Sequence, residues 1–282
     1  MTNRQVKSKV KGFRTKDGAG VSLVRVLSNQ TVGEFDPILM LDSFDSTNPD
    51  DYTAGFPLHP HRGIETISYL SKGKMVHKDT LGNEDSITDG EVQWMNAGSG
   101  ILHEEKVPAA ERLLGVQLWL NLPKRDKFSK PYYHAIRSKD IEEIKIDSGK
   151  IRLLAGEFED HKGFRGEHLP LDYYDIHLEK FGEISLETGE DDSVMVFTLL
   201  GQITIEDELI EEKTAAKLTN GDRVTIKNAG DFAQVLFIRT RALSEPVAWT
   251  GPIVMNSEEE LEEAFKDLRE GRFIRENLEF DD

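Results

Sequence analysis

The feature that most narrows the fold is a pattern that occurs twice. Tyr69-Leu70-Ser71-Lys72-Gly73 resembles Phe197-Thr198-Leu199-Leu200-Gly201. Gly90-Glu91-Val92-Gln93-Trp94-Met95-Asn96-Ala97-Gly98 resembles Gly221-Asp222-Arg223-Val224-Thr225-Ile226-Lys227-Asn228-Ala229-Gly230, with one residue inserted. An apolar run follows each copy, at 114–120 and 234–238. The runs are short, alternate in polarity and are separated by turns that contain glycine, the pattern of half-buried strands. Strands are expected over residues 21–26, 38–41, 66–70, 75–80, 92–95 and 113–122, with a hairpin turn at Ser71-Lys72-Gly73-Lys74. Helical periodicity is missing through this region. Two copies of one β-barrel, joined across the charged segment 137–150, account for the pattern. The expectation is an all-β chain with domains over residues 1–136 and 137–282. A length of 282 residues also lies where single cores give way to two.

The end of the chain reads differently. Ser257 and Glu260 have the spacing of a capping box, which satisfies free amide donors at a helix start. Leu261, Ala264, Phe265 and Leu268 recur at helical spacing, and Gly271 suits the stop. A C-terminal helix docked on a barrel is expected, counted with the second domain.

The chemistry concentrates between Phe56 and Glu105. On an extended strand, side chains two apart share a face. His59 and His61 therefore project together, and so do His103 and Glu105. A hairpin or barrel that joins the two pairs gathers three imidazoles and one carboxylate. Such a set coordinates a divalent transition metal and leaves positions open for water or substrate. Mixed nitrogen and oxygen ligands suit Fe(II), Mn(II), Ni(II), Cu(II) and Zn(II). Glu65 shares strand parity with His61 and competes with Glu105 for the carboxylate position. Glu65, Gln117 and Asn96 are candidates to orient the ligands. Phe56, Met75, Trp94, Ile101 and Trp119 are candidates for an apolar pocket wall, although core packing is the commoner role of such residues.

Composition removes several classes. The formal charge is −17, from 52 acidic and 35 basic side chains, and an acidic surface repels phosphate backbones, so direct nucleic-acid binding is disfavoured. Lys7, Lys9 and Lys11 alternate as on the wet face of an edge strand. There is no cysteine, which excludes disulfides, thiolate ligands and thiol catalysis and argues against a closed structural zinc site. Residues 1–10 are polar and lack an apolar signal core, and no run approaches the ~20 apolar residues of a membrane helix. A cytoplasmic protein is expected.

The two histidine blocks, His59-Pro60-His61-Arg62-Gly63-x-Glu65-Thr66 and Gln93-Trp94-Met95-x-Ala97-Gly98-x-Gly100-Ile101-Leu102-His103-x-Glu105, resemble the pirin family of the cupin superfamily. Gly251-Pro252-x-Val254-Met255-Asn256 is similar to its third block, and the resemblance runs from Phe35 to Phe273. It implies a bicupin, two double-stranded β-helix barrels, with a mononuclear iron site in the first. By position the implied ligands are His59, His61, His103 and Glu105, which leaves Glu65 outside the metal. The implied activity is that of a quercetin 2,3-dioxygenase, which opens the ring of a flavonol with O2, with Glu105 as the base that takes the substrate's proton. The family also implies an alternative, an iron-dependent redox-sensing binding protein or transcriptional co-regulator with a protein partner. Counting back from the matched glycines, His59, His61 and Glu65 fall opposite Glu187, Gly189 and Ser193, and His103 and Glu105 have no counterpart. The second barrel is expected to be structural.

Overall fold

In the computed structural model, which describes residues 2–275, the chain forms two compact units. The first holds Arg14–Leu23, Ile38–Arg137 and the described residues from Ser244 onward. The second holds the described residues up to Phe13, Val24–Pro37 and Ser138–Leu243. The cut between Arg137 and Ser138 lies one residue from the expected boundary, but both ends of the chain are reassigned.

Each reassignment has a physical cause. Val6–Lys11 pairs antiparallel with Thr214–Leu218, with Lys9 opposite Ala216, and so occupies the edge of the second unit's large sheet. It satisfies the backbone groups that edge would otherwise present. Lys7, Lys9 and Lys11 lie on its exposed face, where Lys9 and Lys11 pair with Glu208 and Glu211. At the other end, the helix Glu258–Arg269 packs within the first unit, burying Leu261 and Ala264 against Ile253, Met255 and Phe273. The Ser257 side chain accepts from the Glu260 amide at 3.2 Å, and the Glu260 carboxylate accepts from the Asn256 amide at 2.9 Å. Asp267 on this helix meets the buried guanidinium of Arg62 at 3.0 Å. A charge as deeply buried as Arg62 needs a partner, and the helix supplies it. The expected domain of residues 137–282 is therefore corrected: its helix belongs to the unit that contains the histidine blocks.

Both units are β-barrels of one design, a large sheet facing a four-stranded one. In the first, five strands of the large sheet run in the order Tyr132–Ile136, Glu91–Asn96, Ile64–Lys72, Leu113–Asn121, Ile38–Ser46. Its small sheet runs Phe56–His61, Ile101–Lys106, Met75–Asp79, Glu84–Ile87. In the second, the large sheet begins Val6–Lys11, Thr214–Leu218, Ser193–Leu200, Phe232–Thr240, Leu171–Glu179, and the small sheet runs Glu183–Glu187, Arg223–Asn228, Ile203–Ile205, Glu208–Ile210. Every strand expected from the sequence forms, several of them longer than expected; residues 38–41 open a strand that runs Ile38–Ser46.

Sheet order also corrects the alignment of the two copies. Thr214–Leu218 takes the place of Glu91–Asn96, and Arg223–Asn228 takes the place of Ile101–Lys106. The glycine-bounded block at 221–230 thus matches the next strand along, because a turn-strand-turn pattern repeats at every strand of a barrel. The second barrel does possess a counterpart of the strand that carries His103 and Glu105. Among the described residues no helix is long and apolar enough to cross a membrane.

Candidate metal centre

The small sheet of the first barrel places the site. Phe56–His61 and Ile101–Lys106 pair antiparallel, with His103 directly opposite His59 and Ile101 opposite His61. Residues opposite on one face are neighbours, and the ring centroids follow: 4.8 Å for His59 and His61, 4.4 Å for His59 and His103, 5.0 Å for His61 and His103. One ligand atom from each ring lies within 4.8 Å of the others. His61 and His103 are buried and His59 is half-buried, so the cluster is most open at His59, beside the exposed Leu58.

Each imidazole has one nitrogen engaged elsewhere. His59 Nδ1 faces the Pro57 carbonyl at 2.7 Å, and His61 Nδ1 faces the Pro252 carbonyl at 3.0 Å. A carbonyl only accepts, so both Nδ1 atoms carry a proton, which leaves Nε2 as the ligating atom of each ring. The second contact depends on Gly63. A Cβ there would lie 2.0 Å from the Val254 carbonyl, so glycine lets the segment carrying Pro252 approach. Burial, with the neighbouring His59, pushes His61 down to about 3 against a weaker opposing effect of the Pro252 carbonyl. Burial, then His61 and His59, likewise push His103 well below its ordinary value. Both rings stay neutral near neutral pH, the form that binds metals. His103 Nε2 is buried and has no hydrogen-bond partner. An orphaned buried nitrogen is costly unless something binds it, and three converging imidazoles with one such nitrogen fit a transition metal.

Glu105 lies on the same strand two residues from His103, and the ligand atoms that lie within 4.8 Å of one another are those of the three histidines. A register irregularity between His103 and Glu105 sets it opposite Phe56. Its buried carboxylate accepts a short hydrogen bond from Gln93 Nε2 at Oε1, and bonds from Gln117 Nε2 at 3.3 Å to Oε1 and 3.0 Å to Oε2. Gln117 is therefore the candidate orienting residue that touches the site. Glu65 instead accepts from Trp94 Nε1 and Tyr132 OH, each at 3.0 Å, and Asn96 ties down Ser129, Lys130 and the Gly98 amide. Of the candidate wall residues, Met75, Trp94 and Ile101 are fully buried, and Phe56 packs on Phe44. Trp119 reaches the histidines, edge-on to His61 at 5.0 Å, and Trp249 continues the aromatic wall 5.7 Å beyond.

Gln93, Trp249 and the pair His77–Asp79 were not among the candidates. His77-x-Asp79 carries the same two-residue spacing as His59-x-His61, on a strand that reads as one.

The fold and the site define a double-barrel protein of cupin type with a histidine centre able to hold a metal in its first barrel. Residues 20–120 match the family model for pirin, and residues 173–274 match that for the pirin C-terminal cupin domain. A pirin-like protein of Caulobacter vibrioides is 38% identical over 277 residues, spanning 97% of this chain and 100% of the relative. Human pirin is 31% identical over 277 residues, 96% of this chain and 94% of its own. The crystal structure of quercetin 2,3-dioxygenase from Acinetobacter baumannii superposes with a TM-score of 0.88 at 32% identity, covering 96% of this chain and 98% of that one. The chain belongs to the pirin family.

Proposed function

We propose that this pirin is a metal-dependent dioxygenase that opens the ring of a flavonol such as quercetin with O2, using iron held by His59, His61, His103 and Glu105. The observation that carries the reading is the convergence of three imidazoles with a buried, unpartnered His103 Nε2. The similarity to a quercetin 2,3-dioxygenase at 32% identity supplies the substrate class. Bound iron would polarise a coordinated substrate oxygen and give electron density access to O2.

The protein's own groups do the rest. His59 and His61 have their Nδ1 protons committed to backbone carbonyls, so the rings are oriented before anything binds. Glu105 accepts amide donors only, which keeps it an acceptor, and its Oε2 carries a bond from Gln117 alone. Oε2 is the atom that faces the fewest donors, and it takes the proton of the substrate hydroxyl. Trp119 and Trp249, with ring planes 45° apart, offer apolar aromatic surface beside His61 for an aromatic substrate.

The test is anaerobic loading with Fe(II), Mn(II), Ni(II), Cu(II) or Zn(II), followed by quercetin and O2. Loss of the flavonol absorbance should require metal and vanish in His59→Ala and His103→Ala. Turnover in metal-free protein would remove the centre from the reaction. Tight metal binding without turnover would move the reading to a metal-dependent binding protein with a protein partner.

A further inference from the structure

Behind the three histidines lies a second titratable pair that the reaction does not use. His77 and Asp79 project from Met75–Asp79, the strand that flanks Ile101–Lys106 on the side away from His59. His103 pairs with Asp79 across the ladder, and Glu105 pairs with His77. His77 is fully buried and stacks on Tyr133 with ring centroids 4.2 Å apart at 14°. Its Nε2 lies 2.8 Å from Asp79 Oδ2, and its Nδ1 lies 3.3 Å from Nδ1 of His103.

The proton positions along this row follow from what each group can do. Asp79 Oδ1 accepts from the Leu81 amide at 2.8 Å, the Asn83 amide at 3.1 Å and Asn83 Nδ2 at 3.2 Å, and Oδ2 accepts from Asn83 Nδ2 at 2.9 Å. Surrounded by donors, it is a carboxylate, and His77 must present an N–H at Nε2. With the Nε2 proton given to Asp79, Nδ1 of His77 is the atom left to accept. The proton between the two rings therefore sits on His103 Nδ1, and the lone pair of His103 Nε2 is left facing the cluster.

The geometry points to His77, held by Asp79, as the positioning residue that fixes His103 in its Nδ1-protonated tautomer and so makes it a metal ligand. His59 and His61 obtain the same tautomer from main-chain carbonyls. On Ile101–Lys106 the ladder occupies the main chain, so a side chain serves instead. The inference rests on the metal-centre reading above, but its tests separate from that reading.

The first test uses the metal-free wild-type protein, labelled with 15N, and long-range correlation of the imidazole nitrogens. His103 should be protonated at Nδ1 and bare at Nε2, with His77 protonated at Nε2 and bare at Nδ1. A proton on His103 Nε2, or on both nitrogens of His77, would overturn the assignment. The second test titrates Co(II) into two variants. His77→Phe keeps the ring stacked on Tyr133 and removes the acceptor, and should weaken Co(II) by about 10–100-fold. His77→Asn loses the stacking but can place an amide oxygen where Nδ1 was, and should bind Co(II) more tightly than the Phe variant. A packing role predicts the reverse order, and that result would sink the inference. If wild type and His59→Ala bind Co(II) alike, the metal reading fails instead, while the tautomer measurement still decides the role of His77.

Discussion

The two barrels share a strand plan and differ in what they turn inward. Matching the small sheets through their hairpins sets Leu186 where His59 stands, Thr188 where His61 stands, Val224 for His103, Ile226 for Glu105 and Ile205 for His77. Leu186, Val224, Ile226 and Ile205 are buried members of the second barrel's apolar core. Thr188 accepts a 2.7 Å bond from Nε of the fully buried Arg4, whose other donors reach the carbonyls of Gly189, Asp192 and Thr219. One frame thus carries histidines and a carboxylate at these positions of one barrel, and in the other fills them with four aliphatic side chains and a threonine. A barrel needs only that something of the right volume fill its interior.

The largest expected effect that would break this contrast is on metal binding. His103→Ala should weaken metal affinity by more than the roughly 10–100-fold typical of outer-sphere changes. Ile226→Ala should leave metal affinity as it is and destabilise its own barrel by about 2–5 kcal/mol through the cavity it opens. Titration calorimetry and denaturant unfolding read the two outcomes, and metal affinity sensitive to Ile226 would end the division of labour. Next comes the way each barrel anchors a buried guanidinium. Arg62→Ala should cost about 3 kcal/mol, the low end for breaking a buried pair, because Arg275 still faces Asp267 at 3.2 Å. Thermal unfolding should place that loss in the histidine barrel.

A pH series sharpens the comparison at the level of a few kcal/mol. His61 has an ordinary value of 6.5 and is pushed down to about 3 in the folded metal-free protein. Between these values the unfolded chain binds a proton that the folded chain refuses. Stability from this group is complete above the upper value and is lost as the pH falls toward the lower one, at about 1.4 kcal/mol per pH unit. His103 acts in the same direction. Replacing His61 by Leu, the residue type found at inward positions of the other barrel, should flatten the profile; an unchanged slope would show that the acid sensitivity arises elsewhere. The smallest effect is at the helix. Ser257→Ala removes the 3.2 Å cap bond and should cost about 1 kcal/mol with no change in metal affinity.

Much of the site was legible because strand parity is strict. His59 with His61, and His103 with Glu105, follow from a period of two, and the cap at Ser257 follows from side-chain reach. The comparison of copies failed for the same reason that parity succeeded. Counting from glycines set Glu187 and Gly189 against His59 and His61, one residue out of step, and both are exposed. A slip of one residue exchanges the two faces of a strand, so buried Leu186 and Thr188 were passed over. His77-x-Asp79 has the same period as His59-x-His61, but nothing local says that its strand lies behind His103.

By itself the sequence determined the strand periodicity, the two-barrel plan, the shared faces of His59 with His61 and of His103 with Glu105, and the capped helix. Only the tertiary structure decided which barrel owns each end of the chain, that Gln93 and Gln117 hold Glu105, and that His77 and Asp79 stand behind His103. Those contacts join residues far apart in the chain, through the pairing of strands and the need of each buried charge or lone pair for a partner, and no local spacing encodes them.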